Sequence, residues 1–528
     1  MGGSNRSGVT RRDLFKIGGI AAAGVMGASA LSACSPSTGP TGSDGATSAA
    51  ESTTTAAGHT RSGLPSFLQT PAPITDIAET KDFDVVVVGA GAAGVPAALS
   101  AAEAGAKVAL IQKEATAISQ GNTGSGVDLS KSDPADVQNL VSVLIEEGQH
   151  RTKRELLELW AQHGGEAVKW VIEKAAEGGA TFYYETPCVQ LVQEEDGTVT
   201  GAIGKQKDGS YVKLNATKGV VLAAGDYMNN ESMVDRNLRD AAMFPLCLVN
   251  HTGDGHILGI LAGGRMAPLG HARQIHTNYI GPFMFYPFLA LDVHGKRFCN
   301  ETIPMSSLNI SMSATYKPED RGIHFRIFDS KTEGAVEGIP GVPPVALVGE
   351  GSAWMDPETV VSGNTLEELC EAAGIPVADG VASIERYNEL CAKGCDDDFG
   401  VAGSDMAAID TPPFFCIKGD VGMSGINAGV MVDNRYRVID TEGAPIPGLY
   451  AAGIQAGNPC GGINWSMPGG FSNSHIFTAG RYTVIHALTG DMTPAHPASF
   501  EDLADSFVGE DGGYAWDSPL CATAITVW

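Results

Sequence analysis

The apolar and polar positions of this chain first form a clear pattern at residues 82–88. They end in the β-branched run 85–88, which lacks alternating polar positions and is typical of a strand buried on both faces of a parallel sheet. An alanine-rich stretch over residues 95–104 predicts a helix that ends at Gly105, and residues 107–111 form a second apolar run. The order of strand, helix and strand predicts a βαβ unit within an α/β fold.

A glycine-rich turn lies between the first strand and the helix. Gly89, Gly91 and Gly94 have the spacing of a dinucleotide-binding motif. The first glycine permits a tight turn, the second lets the backbone approach a pyrophosphate, and the third lets the helix pack closely on the strand. The N–H groups at the start of the helix then face the phosphates. The segment therefore predicts a site for a dinucleotide cofactor.

The end of the second strand is the position where such sites usually place an acidic residue for the ribose. Gln112 occupies this position, and Glu114 follows two residues later. A glutamine hydrogen-bonds a ribose hydroxyl without the charge assistance that a carboxylate gives. Glu114 is either a second ribose contact or a solvent-exposed residue.

The composition agrees with a cofactor-binding protein. Glycine accounts for 67 of the 528 residues, about twice its usual frequency of roughly 7%. This excess favours tight turns and close backbone approaches, as a large nucleotide cofactor requires. The 34 basic and 61 acidic residues give a net charge of −27, which argues against nucleic-acid binding and favours solubility.

The ten cysteines form no CxxC or CxxCH motif. The sequence therefore predicts no metal site, no iron–sulfur cluster and no covalently attached haem. Cys391 and Cys395 lie four residues apart and are interpreted as structural or incidental.

Residues 1–34 resemble an export signal. Residues 10–16 resemble the twin-arginine motif, and the apolar stretch at 17–33 is shorter than the roughly 20 residues of a membrane span. The stretch ends in Leu-Ser-Ala-Cys, which resembles a lipobox with Cys34 as the lipidated residue. The alternative is an ordinary cleavage site for the signal peptide. We expect export to the periplasm or the outer face of the cell membrane, with residues 35–80 as a flexible linker that becomes a tether if Cys34 is acylated.

Four further segments carry motifs of one protein family. Residues 120–126 are a Gly-Asn-Thr-rich loop, residues 219–225 and 446–453 are apolar strands ending in glycine, and residues 252–256 contain a Gly-Asp-Gly turn. Together they resemble the flavoprotein subunits of fumarate reductase and succinate dehydrogenase, their soluble flavocytochrome relatives and the 3-ketosteroid dehydrogenases. The resemblance covers roughly residues 82–490.

The resemblance implies FAD as the tightly bound cofactor. No histidine occurs in residues 119–126, where the membrane-bound relatives attach FAD covalently, so we expect non-covalent FAD. Asp226 departs from the family, because the second FAD strand usually ends with a glycine at this position. The residues that the motifs place against FAD are Gly89, Gly91, Ala92, Ala93, Gly94, Gln112, Lys113, Glu114, Gly121, Asn122, Thr123, Ser125, Gly126, Ala224, Gly225, Asp254, Gly453, Gly469, Gly470 and Ser472.

The resemblance also implies a Rossmann-like FAD-binding domain that is interrupted by an α+β capping domain. We expect the FAD-binding domain at residues 81–270 and 425–490 and the capping domain at residues 271–424. Residues 491–528 then form a C-terminal tail.

The substrate-binding positions differ most from the family. The segment around His276 resembles the segment that carries the first substrate histidine, and residues 295–301 match a second family segment. The proton-donating arginine is expected four residues later, where Met305 stands, and residues 424–430 and 464–470 lack the second histidine and the last arginine. Charge-assisted contacts to a carboxylate contribute up to ~3 kcal/mol each. The sequence therefore argues against fumarate or succinate as the substrate.

Aromatic and methionine side chains are common in the same segments. One interpretation is an apolar pocket for a bulky substrate, lined by Trp465, Met467, Met305 and residues 283–288. The alternative for residues 283–288 is that they form the core of the cap. We expect reduction of the C=C bond of an α,β-unsaturated carbonyl compound by hydride transfer from flavin N5. A proton donor must replace the missing arginine. His276 polarises the carbonyl or is an ordinary structural histidine, and the candidate proton donors are Tyr279, Tyr286 and Tyr316.

The predicted source of electrons depends on two kinds of motif that the sequence lacks. It has no motif for a second nicotinamide nucleotide and no haem site, so we expect a cytochrome-type electron donor. Two alternatives remain open: a ketosteroid-type dehydrogenase that runs the reverse reaction, and a flavin electron carrier without a substrate of its own.

Overall fold

The computed structural model describes residues 66–115, 117, 127–147, 154–174, 180–238, 250–268, 271–277, 288–302, 311, 323–331, 360–419, 421–461, 471–494 and 497. The strands are β1 (Glu79–Val88), β2 (Val108–Ile111), β3 (Thr181–Tyr183), β4 (Cys188–Gln193), β5 (Val199–Lys205), β6 (Tyr211–Leu222), β7 (Ala272–Thr277), β8 (Leu289–Asp292), β9 (His324–Asp329), β10 (Val360–Gly363), β11 (Phe414–Gly419), β12 (Val421–Asn427), β13 (Arg437–Ile439) and β14 (Pro445–Ala451). The helices are α1 (Gly94–Glu103), α2 (Pro134–Glu147), α3 (Arg154–Lys174), α4 (Glu231–Asn237), α5 (Asp254–Leu261), α6 (Leu366–Ala373), α7 (Val377–Lys393) and α8 (Phe471–Thr489). Short 3-10 helices span Ser66–Leu68, Gly403–Asp405 and Gly453–Gln455.

Five parallel strands form the centre of the larger sheet, in the spatial order β14–β6–β1–β2–β3. β13 pairs antiparallel with β14, β5 pairs antiparallel with β6, and β4 pairs antiparallel with β5. Because parallel strands end at the same edge of a sheet, the residues that follow β1, β2, β6 and β14 are brought together. The predicted α/β fold with a Rossmann-like parallel sheet is confirmed.

The predicted βαβ unit is present as β1, α1 and β2. Residues 85–88 are buried, as their apolar run predicts. The strand begins at Glu79, earlier than the predicted start at residue 82, because exposed polar residues there pair with β6 through the backbone. Helix α1 ends just before Gly105, whose φ of +76° suits a glycine better than a residue with a side chain.

Helices α1, α3 and α8 pack together beside the parallel sheet. A Cβ atom at Gly480 of α8 would lie 2.1 Å from the carbonyl oxygen of Ala93, so glycine lets α8 approach the start of α1. Trp160 of α3 donates its Nε1–H to Ser474 Oγ of α8 at 2.7 Å. These contacts hold α8 close to the glycine-rich turn.

A second, four-stranded sheet has the order β10–β11–β9–β8, and all of its neighbouring strands are antiparallel. Its apolar face packs with α6 and α7 around a core that includes Leu291, Ile327 and Leu369. β7 and β12 form a separate antiparallel ribbon, in which Ala272 lies opposite Asn427. β7 begins one residue after the predicted start of the capping domain at 271, and β12 contains its predicted end at 424. The domain boundaries themselves stay a prediction.

A buried ion triad ties the segment after β8 to the loop after α7. Arg297 donates to Glu301 Oε2 at 2.6 Å and to Asp396 Oδ2 at 2.8 Å, and these three side chains are at most 7% exposed. Burial opposes ionisation of Asp396, but hydrogen bonds from Arg297 and from backbone N–H groups outweigh it and lower the pKa of its carboxyl to about 2. The triad therefore holds a carboxylate in its charged form inside the protein.

Within the described residues, every helix is too short or too polar to cross a bilayer.

We expect Arg297→Met to lower the free energy of unfolding by about 3 kcal/mol, because it leaves two buried carboxylates without their cation. Urea unfolding of the FAD-loaded protein measures this loss. Arg386→Gln is the matched control, since Arg386 pairs with Asp398 at the surface and is 47% exposed, and it should leave the unfolding midpoint nearly unchanged. Equal losses in the two variants would contradict a stabilising role for the triad.

The same triad predicts a pH dependence of stability. The Asp396 carboxyl has its pKa lowered from 3.8 to about 2, so its contribution is present above pH 3.8 and is lost as the pH falls towards 2. Wild-type stability should therefore decrease over this interval more steeply than that of Arg297→Met. Denaturation midpoints measured across the interval test this, and parallel curves would show that Asp396 does not titrate as expected.

Candidate cofactor-binding site

A cavity of about 430 Å³ lies at the carboxyl edge of the parallel sheet. Residues that follow β1, β2, β6 and β14 line it, together with the segment before α5 and one face of α8. The parallel arrangement is the cause of this convergence, because it directs the loops after those four strands to one place. The cavity therefore lies where an α/β sheet places its ligand.

The glycine-rich turn forms one wall of the cavity. Gly89 has a φ of +105°, and a Cβ atom there would lie 2.3 Å from the carbonyl oxygen of Ala223, which follows β6. A Cβ atom at Gly94 would lie 1.8 Å from the carbonyl oxygen of Gly89. Both positions accept only glycine, which lets the backbone at the start of α1 come close to a ligand.

Gln455 joins the ends of β6 and β14. Its buried Oε1 accepts the backbone N–H of Ala224 at 2.5 Å, while its Nε2 has no hydrogen-bond partner in the described part of the chain. Glycine makes the space for it, since a Cβ atom at Gly255 would lie 2.4 Å from Oε1. Sequence reasoning did not select Gln455, although it closely follows the predicted contact Gly453.

The segment before α5 forms another wall and holds the residues that follow β2. Lys113 Nζ donates to Thr252 Oγ1 at 2.8 Å and to Asp254 Oδ2 at 2.9 Å. Glu114 accepts a hydrogen bond from the side-chain amide of Asn250. Both charged residues are thus held by the neighbouring segment, and both line the cavity.

His251 also lines the cavity and was not predicted by the sequence. Its Nδ1 lies 3.1 Å from Oδ1 of Asp226, which is fully buried. The signal that could have found it is its place directly before the Thr-Gly-Asp-Gly motif, in a segment already expected to contact the cofactor.

Most of the described residues that the sequence places against FAD line one cavity, and these are Gly89, Gly91, Ala92, Ala93, Gln112, Lys113, Glu114, Ala224, Gly225, Asp254 and Gly453. Gly94 packs on Gly89 behind this wall. Ser472 belongs to α8, whose neighbouring Asn473 and Ile476 line the cavity. The other predicted contacts lie outside the described residues, namely Gly121, Asn122, Thr123, Ser125, Gly126, Gly469 and Gly470.

Of the candidate catalytic residues, His276 is the one whose backbone is described. It belongs to β7 and lies opposite Gly422 of β12. Tyr279, Tyr286 and Tyr316 lie outside the described residues, and their roles stay predictions.

Comparison with known proteins supports the interpretation of the cavity. The family profile described as “FAD binding domain” matches residues 84–178 and 141–472 of the chain. The chain belongs to this FAD-binding family.

The flavoprotein is similar to several characterised proteins. Vinyl phenol reductase of Lactiplantibacillus plantarum is 26% identical over 487 residues, which cover 78% of this chain and 97% of that protein. Urocanate reductase of Eggerthella lenta is 26% identical over 464 residues, which cover 76% of this chain and 74% of that protein. The structure of the open conformation of a flavocytochrome c3 fumarate reductase is similar in fold, with a TM-score of 0.58, 22% identity, and coverage of 78% of this chain and 79% of that one.

The residues of the cavity fit FAD. The close backbone approach at Gly89 suits a pyrophosphate. The predictions of FAD as the cofactor and of an FAD-dependent oxidoreductase are confirmed. Non-covalent attachment stays a prediction.

We expect Gly94→Ala to reduce FAD bound per chain by at least about tenfold, because the added Cβ atom would collide with the Gly89 carbonyl and displace the start of α1. The ratio of flavin to protein absorbance in the purified protein measures this. Gly105→Ala is the control, since it also adds a Cβ atom to the βαβ unit but meets no atom within 4 Å. Its φ of +76° costs stability of about 1 kcal/mol, without loss of FAD. Equal FAD content in both variants would contradict the assignment of the turn.

Proposed function

We propose that this FAD-dependent oxidoreductase of CH–CH groups reduces a C=C bond conjugated with a carbonyl or an aromatic ring, in a substrate larger than fumarate. The observation that carries the substrate class is Met305, which stands where the fumarate reductases have their proton-donating arginine. A thioether neither donates a proton nor binds a carboxylate. The proposal is also supported by the similarity to vinyl phenol reductase and urocanate reductase. The substrates in those names both contain a C=C bond conjugated with an aromatic ring.

The missing arginine is one of several related changes. Residues 464–470 lack the arginine that completes the dicarboxylate clamp in the family and carry Trp465 and Met467 instead. An apolar pocket with methionine adapts to bulky shapes better than to a small dianion. The substrate that fits these changes is flat, conjugated and only weakly charged.

FAD supplies the hydride for such a reduction. The chain must supply a proton for the neighbouring carbon and a hydrogen-bond donor for the oxygen on which negative charge develops. Tyr279, Tyr286 and Tyr316 are the proposed proton donors, because a phenol retains its proton at neutral pH. His276 is the proposed donor to the oxygen, and pairing of β7 with β12 holds its backbone.

We infer that the protein is exported by the twin-arginine route, that Cys34 tethers it to the membrane surface, and that FAD is bound non-covalently. Electrons then arrive from a cytochrome-type donor, since no haem motif occurs in the sequence. The similarity to a flavocytochrome c3 fumarate reductase supports the fold, and the cytochrome-type electron donor is our proposal.

Anaerobic assays with a reduced viologen dye test the substrate class. We expect the FAD-loaded protein to oxidise the dye at least about tenfold faster with a vinyl phenol, urocanate or a steroid enone than with fumarate, because the carboxylate clamp is absent. Fastest turnover with fumarate would overturn the proposal and would mean that another basic residue replaces Met305. No turnover with any of these compounds, with the flavin still reducible, would favour an electron carrier. Oxidation of a saturated ketone as the only reaction would favour a dehydrogenase.

Single Tyr→Phe variants test the proton donor. We expect one of Tyr279→Phe, Tyr286→Phe and Tyr316→Phe to lower turnover by about 10²- to 10⁴-fold, because general acid catalysis contributes about that much. Reduction of the flavin by the dye should be unchanged in the same variant. Tyr184→Phe is the control, since Tyr184 is 41% exposed and does not line the cavity. Retention of activity in all three variants would assign the proton to another group.

A further inference from the structure

The ribbon of β7 and β12 is a two-stranded sheet that carries His276. His276 lies opposite Gly422, and the register shifts between Met423 and Gly425, where a bulge interrupts the pairing. A ribbon of two strands is only marginally stable by itself. Its position in the protein therefore depends on contacts with the neighbouring elements.

Asp226 joins this ribbon to the cofactor cavity. It directly follows Gly225, which lines the cavity, and its side chain is fully buried. Its Oδ2 accepts the backbone N–H of Ile426 in β12 at 3.0 Å, and its Oδ1 accepts the backbone N–H of Met228 at 2.9 Å. Oδ1 also lies 3.1 Å from Nδ1 of His251, which lines the cavity. One carboxylate thus contacts both the cavity wall and the ribbon.

Tyr227 makes a second contact from the same segment. It is fully buried, and its hydroxyl oxygen lies 2.5 Å from Nδ1 of His271, the residue directly before β7. Nε2 of His271 lies 3.1 Å from the carbonyl oxygen of Ala267. A carbonyl oxygen only accepts, so His271 donates from Nε2 and accepts the Tyr227 hydroxyl at Nδ1. Two consecutive residues after β6 therefore contact β12 and the start of β7.

Apolar side chains surround these contacts and continue into the four-stranded sheet. Tyr227 and Met228 pack in one buried cluster with Met423 and Ile426 of β12 and with Ala290 of β8. Apolar packing is non-directional, whereas a hydrogen bond requires a particular distance and angle. The cluster therefore holds the elements together, and the bonds to Asp226 and Tyr227 fix where the ribbon lies.

Aspartate at position 226 supplies a contact that the usual residue of the family lacks. The family usually has glycine there, which carries no side-chain acceptor for the Ile426 N–H. A buried backbone N–H requires an acceptor, and a carboxylate gives a charge-assisted hydrogen bond. The replacement therefore adds a directional bond between the cavity wall and β12.

We propose that Asp226 is a positioning residue, which fixes the ribbon against the wall formed by Ala223–Gly225 and thereby places His276 for the reaction at the flavin. The inference rests on the proposed role of His276, but the anchoring of the ribbon is measurable without a substrate. Loss of the carboxylate loosens the ribbon and slows turnover. FAD stays bound, because Gln455 still accepts the Ala224 N–H.

Hydrogen exchange of the full-length, FAD-loaded protein, followed by mass spectrometry, tests the anchor. We expect Asp226→Gly to speed exchange in β12 at least about tenfold, because the Ile426 N–H loses its acceptor. Asp226→Asn retains one acceptor oxygen and should give a smaller increase, and it decides the question if Asp226→Gly does not fold. The flavin content of both variants should equal that of the wild type. Unchanged exchange in β12 would overturn the proposal.

Steady-state kinetics in the viologen assay test the positioning role. We expect Asp226→Asn to lower kcat about tenfold and Asp226→Gly about 100-fold, with KM changed less than about twofold, since misplacement of a reacting group slows the reaction to this extent. Reduction of the flavin by the dye should be unchanged. Faster exchange in β12 together with a wild-type kcat would overturn the proposal.

Asp329→Asn is the matched control. Asp329 is also a buried carboxylate, and its Oδ2 accepts the backbone N–H groups of Asp410 and Thr411 at 2.9 and 3.0 Å, but it does not line the cavity or contact the ribbon through these bonds. Its loss should lower the unfolding midpoint and leave kcat at the wild-type value. An equal fall of kcat in the Asp329 and Asp226 variants would assign the effect to stability alone and overturn the proposal.

His276→Gln separates this inference from the proposed function. A wild-type kcat in that variant, together with slow turnover in the Asp226 variants, would contradict the role of His276 and still support Asp226 as the residue that positions the ribbon. Absence of turnover in the wild type would contradict the proposed function, whereas the exchange measurement decides the anchor without a substrate.

Discussion

The site depends on how closely the backbones of β1 and β6 approach at their carboxyl ends. The Gly89 turn fits against the Ala223 carbonyl only because no Cβ atom intervenes, since such an atom would lie 2.3 Å from that oxygen. Gln455 completes the arrangement by accepting the Ala224 N–H from the adjacent end of β14. Three strand ends are therefore joined by backbone contacts and one buried amide. The cavity lies where β1 and β6 approach without a Cβ atom at Gly89, and such a close backbone approach is what a diphosphate requires.

The sequence predicted the parts of this arrangement that depend on local pattern. The apolar run of β1, the alanine-rich α1 and the spaced glycines between them are close in the chain, and each has a short-range physical reason. Most of the described residues assigned to FAD line one cavity for the same reason, because strand ends of a parallel sheet converge. The start of β1 was predicted too late, since its first residues are polar and pair only through the backbone.

The interactions that the sequence did not reveal join residues far apart in the chain. Gln455 contacts Ala224 across 231 positions, and Asp226 contacts the backbone of Ile426 across 200. Single polar residues have no periodicity, and their partners are determined only when the strands have paired. Asp226 was visible beforehand as a departure from a family glycine, but its buried carboxylate and its contact with His251 required the fold. The family resemblance thus identified position 226 as unusual, and the structure shows the contacts that Asp226 makes.

The charge of the whole chain does not determine how this protein holds an anionic cofactor. The net charge is −27, yet charges at the surface are screened beyond about 10 Å, so the groups in the cavity wall dominate. In that wall Gln112 replaces the usual ribose carboxylate with a neutral amide, and Asp254 pairs with Lys113. Asp226 is buried and lies 3.1 Å from the imidazole of His251, which lines the cavity. The neutral Gln112 and the pairing of Asp254 with Lys113 lower the repulsion that a diphosphate would meet in this wall, and the N–H groups at the start of α1 are donors for it.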